Sequence, residues 1–138
     1  MSIKQTLIDG LNEDLNRELE AVLRYLSHSA TAVSLLGHEL RELLRGDITS
    51  ELNHAIFLAD KITALGGQVQ IHPSMPKHMR SAKEMLEENI SAEHQVVASY
   101  AERIKQAEEF GDKGLVIRLE DMIAEETDHA EMLERLGR

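Results

Sequence analysis

The chain repeats one pattern of polar and aromatic residues at a spacing of 75 positions, and this repeat constrains the fold more than any other feature. Each half contains a lone Glu and, 33 positions later, a second Glu that begins a Glu-x-x-His unit. The four matched pairs are Glu18 and Glu93, Tyr25 and Tyr100, Glu51 and Glu126, and His54 and His129. The repeat therefore predicts two matched halves that together carry four carboxylates and two imidazoles.

Apolar residues recur at spacings of three and four through most of the chain, which is the period of an α-helix. The pattern predicts an all-α fold in one domain, residues 1–138, with breakers near Gly37 and Gly111. The expected elements are helices at about 3–33, 37–65, 81–109 and 113–136, with a crossover at about 66–80.

The spacing of the repeat agrees with two helical hairpins. Facing residues of an antiparallel hairpin are equidistant from its turn, and the midpoints of the two Glu pairs, 34.5 and 109.5, fall at the predicted turns. The crossover of 15 residues could span about 50 Å at roughly 3.3 Å per residue. Running the second and third helices parallel needs about 39 Å at 1.5 Å per residue of helix. An antiparallel arrangement is also possible but would need only a short turn.

Six polar residues interrupt the apolar stripes at matched heights, and buried carboxylates at one level are costly because each loses its hydration and repels the others. Two divalent cations would neutralise four carboxylates. Mixed carboxylate and imidazole ligands suit iron or manganese, and zinc also fits. The sequence therefore predicts a two-metal site formed by Glu18, Glu51, His54, Glu93, Glu126 and His129.

These residues, in this order and spacing, resemble the ferritin-like superfamily, and within it the bacterioferritin-type di-iron proteins. The resemblance is carried by residues 17–25, 51–55 and 125–129 and by Glu93, so it covers nearly the whole chain. It implies a ferritin-like four-helix bundle with a long crossover between helices 2 and 3. It also implies that Glu51 and Glu126 bridge the metals, with Glu18 and His54 completing one ion's ligands and Glu93 and His129 the other's.

By the same resemblance the expected activity is a ferroxidase that oxidises Fe²⁺ with O₂ or H₂O₂ in iron storage or detoxification, using two iron ions per chain. Tyr25 resembles the family tyrosine beside the centre and could supply an electron, or it could simply pack in the core. Its repeat mate Tyr100 is expected to pack. No haem is expected, because Leu52 occupies the position of the haem-ligand methionine. The chain stops at Arg138 without the extra C-terminal helix of 24-subunit cages, so a full cage is not expected.

Two alternative functions remain open at this stage. One is a peroxide-reducing di-iron or di-manganese oxidoreductase that stores no mineral; the absence of cysteine removes a built-in rubredoxin-like electron donor and weakens this option. The other is a non-catalytic metal-binding bundle whose site holds zinc or stays empty.

Composition limits the partners. The net charge of −10 argues against binding to nucleic acid or to an anionic membrane. No apolar run approaches the roughly 20 residues of a membrane span. The chain has no cysteine and begins without the pattern of a secretory signal, which favours the cytoplasm.

A second apolar line on the first two helices predicts a homodimer through those helices, and perhaps a larger assembly built from it, because an apolar face left after the core is filled usually marks an interface. Alternatively these residues widen the core. The line consists of Leu19, Leu23, Leu26, Ile48, Leu52 and Ile56.

Several histidines and methionines lie outside the predicted site. The segment 71–79 mixes both residue types, and we expect an ordinary crossover that packs through its methionines. His28, His38 and His94 are expected at the surface or behind the ligands rather than among them.

Overall fold

The computed structural model describes residues 1–138 and contains four α-helices. They are α1 (Ile3–Thr31), α2 (Ser34–Ala64), α3 (Ala82–Phe110) and α4 (Lys113–Leu136). The main packing partners are α1 with α2 and α3 with α4, and α1 also packs against α3. The all-α four-helix bundle predicted from the sequence is confirmed.

The helix directions follow from the connections and contacts. Two residues join α1 to α2, so these helices are antiparallel. Between α1 and α3, Asp14 contacts Arg103 and His28 contacts Asn89, which pairs early residues of one helix with late residues of the other. Because α1 is antiparallel to both neighbours, α2 and α3 run parallel and the segment from Leu65 to Ser81 crosses the length of the bundle.

Side-chain caps begin α3 and α4, and Gly111 in a left-handed conformation ends α3. Ser81 Oγ accepts from the backbone N–H of Glu84 at 3.1 Å, and Asp112 Oδ1 accepts from that of Leu115 at 3.0 Å. These contacts satisfy donors that a helix N-terminus leaves free. Gly111 ends α3 with φ of 94°, a conformation that glycine adopts without steric cost.

The predicted start of the second helix at residue 37 is wrong, because α2 begins at Ser34 and contains Gly37. A Cβ atom at Gly37 would lie 3.0 Å from the carbonyl carbon of Ala32. Glycine is therefore present so that the short α1–α2 connection can pack closely, and it does not break the helix.

The apolar core consists of two clusters with the polar residues of the repeat between them. Along α1, for example, Leu15 belongs to the first cluster and Ala21 to the second, with Glu18 between them. Along α3, Glu93 lies in the same way between Leu86 and Val96. The predicted site therefore occupies a polar layer inside an otherwise apolar bundle.

Buried asparagines of α1 hold the crossover in place. Asn12 donates to the carbonyl of Gln68 at 3.0 Å and accepts from the N–H of Gln70 at 2.9 Å. Asn16 donates to the carbonyl of Gln70 at 2.8 Å and accepts from the N–H of His72 at 2.7 Å. One helix turn separates the two asparagines, and they pair with the extended segment much as a neighbouring strand would.

The expectation that the crossover packs through its methionines is only half right. Met79 packs against the second core cluster, but Met75 is 70% exposed. Within this stretch the backbone N–H groups of His72 and Ser74 donate to side chains of α1, so hydrogen bonds as well as apolar contacts anchor it. Nowhere in the bundle does a helix combine the length and hydrophobicity required to cross a membrane.

Candidate metal centre

The structure brings together all six residues that the sequence predicted as metal ligands. Their ligand atoms form two groups, and within each group the atoms lie within 4.8 Å of one another. Five of the six side chains are at most 1% exposed, and His129 is 12% exposed. The first group is Glu18, Glu51, His54 and Glu126, and the second is Glu51, Glu93, Glu126 and His129.

Both imidazoles direct Nδ1 at the carboxylates. His54 Nδ1 lies 3.1 Å from Glu18 Oε2 and 3.0 Å from Glu126 Oε1. His129 Nδ1 lies 2.9 Å from Glu51 Oε1 and 3.9 Å from Glu126 Oε1. Glu51 and Glu126 belong to both groups, so each is placed where it could be shared by two cations.

The site contains more buried acceptor atoms than donors to satisfy them. Both carboxylate oxygens of Glu51 and of Glu126 lack a partner with hydrogen-bond geometry, although their Oε1 atoms lie 2.9 and 3.0 Å from Nδ1 of His129 and of His54, respectively. One oxygen each of Glu18 and Glu93 also lacks a partner. A buried carboxylate oxygen without a partner is unfavourable by several kcal/mol. Divalent cations would satisfy all of these oxygens together, so the donor set fits a pair of metal ions.

Burial and mutual repulsion shift the titration of these groups. Burial, followed by the charge of Glu18, raises the pKa of Glu51 to about 7. Burial and the neighbouring Glu126 also raise the pKa of Glu93. Burial disfavours the charged form of His54, but the adjacent carboxylates of Glu126 and Glu18 outweigh it and raise its pKa to about 11. Protons therefore balance part of the negative charge that metal cations would otherwise balance.

The outer ring nitrogens contact two acidic residues that the sequence prediction did not assign to the site. His54 Nε2 lies 2.6 Å from Glu125 Oε2, which also accepts from Ser50 Oγ at 3.3 Å. His129 Nε2 lies 3.4 Å from Asp47 Oδ1. Carboxylates in this position orient a ligating imidazole and set its tautomer. The sequence contained an indication that Asp47 lies near the site, because Asp47 interrupts the apolar stripe of α2. It contained no such indication for Glu125.

Tyr25 lies against the centre, on the side of Glu93. The side chain of Tyr25 is fully buried and its hydroxyl donates to Glu93 Oε1. The neighbouring Arg24 donates from Nε to Asn89 Oδ1 at 2.9 Å, and its charge acts on Glu93. This part of the site thus contains a tyrosine hydroxyl and a guanidinium beside Glu93, which, like Glu18, belongs to only one ligand group and is called a terminal carboxylate.

The other histidines lie outside both ligand groups, as expected. His28 is buried, not exposed, and its Nδ1 lies 3.0 Å from Asn89 Nδ2. His94 is on the surface, with Nε2 at 2.8 Å from Glu134. His38 is exposed.

Four helices that carry two lone Glu residues and two Glu-x-x-His units to one buried layer define the class of carboxylate-rich four-helix bundles. A sequence model of the family described as "Ferritin: Ferritin-like domain" matches residues 8–138. Because that match takes in nearly the whole sequence, the chain belongs to the ferritin-like domain family.

Individual relatives agree with this assignment. The chain is 28% identical over 132 residues to a bacterioferritin of Mycobacterium leprae, covering 90% of this chain and 79% of the relative. It is 27% identical over 129 residues to a bacterioferritin of Brucella melitensis, covering 93% and 80%. Among solved structures, ferritin-like, diiron-carboxylate proteins from Bacillus anthracis superpose with a TM-score of 0.94 at 39% identity, covering 99% of each chain.

Proposed function

We propose that the protein is a di-iron ferroxidase that oxidises Fe²⁺ with O₂ or H₂O₂. The observation that carries this proposal is the set of unpartnered, buried carboxylate oxygens, above all both oxygens of Glu51 and of Glu126. The Bacillus anthracis proteins, 39% identical over 99% of this chain, are described as diiron-carboxylate proteins, which supports iron as the metal. The similarity to proteins described as bacterioferritins also supports iron as the substrate.

Fe²⁺ is the substrate in this proposal, and two adjacent ferrous ions can supply two electrons together to the oxidant. Glu51 and Glu126 would be shared between the ions because both belong to the two ligand groups. Glu18 with His54 would hold one ion, and Glu93 with His129 would hold the other. The apolar clusters on both sides of the layer exclude bulk water from five of these groups, whereas His129 is 12% exposed.

Tyr25 is proposed as an electron donor beside the site. Its hydroxyl donates to Glu93 Oε1, so an electron leaving the ring can be accompanied by transfer of the phenolic proton to that carboxylate. The fully buried ring is protected from solvent, which would otherwise react with an oxidised tyrosine. A Tyr25→Phe variant tests this role, because it keeps the packing and removes the proton and the redox-active group.

The direct test of the proposed function is anaerobic addition of Fe²⁺ to metal-free protein, followed by admission of O₂ or H₂O₂. The expected result is rapid oxidation of two irons per chain, which is measured as an increase in the absorbance of ferric iron. Further particle growth would support storage, while two irons without growth would favour detoxification or peroxide reduction. Binding of zinc alone, without iron oxidation, would contradict the proposal.

Matched variants connect the activity to the site. Glu51→Ala is expected to abolish rapid oxidation because it removes a carboxylate from both ligand groups. Glu131→Ala changes an exposed carboxylate of α4 and is expected to leave the rate unchanged. Equal rates for Glu51→Ala and the unaltered protein would refute the assignment of the ligands.

We also propose that the chain forms a homodimer through α1 and α2. Three residues of the second apolar line, Leu26, Leu52 and Ile56, are 58%, 43% and 52% exposed. The core of this chain leaves these three uncovered, whereas Leu19 and Ile48 of the same line pack against the core clusters and do widen it. A second copy presenting the same surface would cover the three exposed residues in a two-fold arrangement.

A further inference from the structure

Tyr25 and Tyr100 occupy equivalent positions in the two halves of the bundle. Both side chains are fully buried. The hydroxyl of Tyr25, on α1, donates to Glu93 on α3. The 75-residue repeat exchanges the halves, so it maps this pair onto Tyr100 of α3 and Glu18 of α1. The symmetry therefore places a second tyrosine hydroxyl opposite the second terminal carboxylate.

The polar atoms at this equivalent position are both buried and both unpartnered. They are the hydroxyl of Tyr100 and Oε1 of Glu18. The other oxygen of Glu18, Oε2, already lies 3.1 Å from Nδ1 of His54. A carboxylate oxygen can only accept a hydrogen bond, and a phenol hydroxyl is protonated at neutral pH, so in this pair Tyr100 can only be the donor.

Packing alone does not account for a hydroxyl at this position. Burying a hydroxyl without a partner is unfavourable, because the group loses its hydrogen bonds to water and gains none in return. Phenylalanine would fill the same volume of the apolar cluster without that cost. The expectation that Tyr100 serves only to pack therefore leaves its oxygen unexplained.

We propose that Tyr100 is a positioning residue whose hydroxyl donates a hydrogen bond to Glu18. This hydrogen bond orients the carboxylate toward the metal that Glu18 holds together with His54. Tyr25 does the same for Glu93 in the other half. The inference rests on the proposed metal site. Each tyrosine acts through one terminal carboxylate, so each affects mainly one of the two metal positions. Loss of a hydrogen bond that orients a ligand typically weakens metal binding about 10- to 100-fold.

The test compares Tyr100→Phe with Tyr25→Phe in the full chain, using Co²⁺ as the probe. Anomalous diffraction of crystals soaked at a series of Co²⁺ concentrations gives the occupancy of each position separately, and Co²⁺ titration in solution gives the two affinities. Tyr100→Phe is expected to weaken the position of Glu18 and His54 by 10-fold or more and to leave the position of Glu93 and His129 within about 3-fold. Tyr25→Phe is expected to show the opposite selectivity.

Several outcomes would overturn the inference. Unchanged occupancy in Tyr100→Phe would show that its hydroxyl does not act on Glu18, and equal weakening of both positions would indicate a general structural role. Circular dichroism and urea unfolding of the metal-free variants confirm that both fold. If the unaltered protein fails to bind two Co²⁺ ions, the proposed metal site itself fails, which is distinguishable from a selective failure of Tyr100.

Discussion

The guanidinium of Arg103 rests directly on the backbone of α1 at Gly10. A Cβ atom at Gly10 would lie 1.9 Å from Nη1 of Arg103. In this position Arg103 binds Asp14 through two contacts, Nε to Oδ2 at 2.7 Å and Nη2 to Oδ1 at 3.3 Å. Burial raises the pKa of Asp14, and its hydrogen bond to Arg103 opposes that shift. The absence of a side chain at Gly10 thus allows a buried ion pair between α1 and α3.

Replacing Gly10 with alanine is expected to displace Arg103 and leave buried Asp14 with only the hydroxyl of Ser99 at 2.6 Å and Arg17 at 3.7 Å. Breaking a buried ion pair costs about 3 kcal/mol when nothing replaces it. With these contacts and the higher helix propensity of alanine, the net loss in free energy of unfolding should be about 1–2 kcal/mol. Gly46→Ala is the control, because a Cβ there meets nothing within 4 Å and should stabilise α2 by about 0.5–1 kcal/mol. Urea unfolding of the metal-free proteins measures both. Changes of the same sign would contradict the proposed role of Gly10.

Asn16 is expected to be a stability determinant although it takes no part in the metal site. Asn16→Ala leaves the carbonyl of Gln70 and the N–H of His72 without their partner. The expected cost is about 1–2 kcal/mol, because two part-buried hydrogen bonds to the backbone are lost. Hydrogen exchange of the His72 amide should accelerate as the crossover detaches. The control Asn53→Ala changes an exposed residue of α2 and should affect neither quantity.

The repeat and the helical period predicted much of this arrangement from the sequence. Because facing residues of a hairpin are equidistant from its turn, the positions of Glu18 and Glu51 fixed the relative height of α1 and α2. The same reasoning applied to Glu93 and Glu126, and the structure places all four carboxylates in one layer. Their roles as metal ligands stay predictions.

Other features depend on interactions between elements that no local pattern reveals. The contact of Glu125 with His54 depends on how α4 is rotated about its axis relative to α2, which the sequence does not reveal. The sequence pattern assigned the neighbouring Glu126 to the site and gave no separate reason to assign Glu125. Asn16 occupies a helix and pairs with a segment 54 and 56 positions away, which helical periodicity does not indicate. Gly37 was interpreted as a helix breaker, but it lies within α2 and allows close packing against Ala32. Glycine occurs in both situations, so the sequence alone does not distinguish them.

His28 is expected to make stability depend on pH. Asn89 Nδ2 donates to the carbonyl of Met85 at 2.7 Å, which fixes the amide so that Nδ2 also faces His28 Nδ1 at 3.0 Å. His28 is therefore neutral in the fold, and burial, then the charge of Arg24, lowers its pKa below the ordinary value of 6.5. As pH falls below about 6.5, the unfolded chain takes up a proton first, so stability decreases until the folded pKa is reached.

The measurement compares the unaltered protein with His28→Gln by urea unfolding at pH 7.5 and 5.5 in the presence of a chelator. The unaltered protein should lose more stability on acidification than the variant, by up to about 1 kcal/mol over this pH range. All other groups titrate equally in the two proteins, so the difference isolates His28. A larger loss in the variant would contradict a neutral imidazole.

The proposed dimer interface gives a prediction about assembly. Leu52→Lys places a charge on the exposed apolar line of α1 and α2 and should shift sedimentation toward the monomer, because a desolvated unpaired ammonium opposes association. Ile117→Lys is the control: Ile117 is 50% exposed but lies on α4, away from this line. Dissociation by both variants, or by neither, would count against an interface through these helices.

Glu51→Gln should affect the metal-free and metal-bound proteins in opposite directions. In the metal-free protein, burial and the charge of Glu18 raise the pKa of Glu51 from 4.5 to about 7. Stability therefore decreases as pH rises from about 4.5 to 7, and the loss persists at higher pH. A neutral amide removes this penalty, and the chelated variant should be more stable by about 2–3 kcal/mol at pH 8. With metal present the order should reverse, because glutamine supplies a weaker ligand to both positions and stabilisation by bound metal decreases. Thermal unfolding with a chelator and with excess Zn²⁺ measures both effects. A variant that is less stable under both conditions would show that Glu51 has a structural role independent of metal.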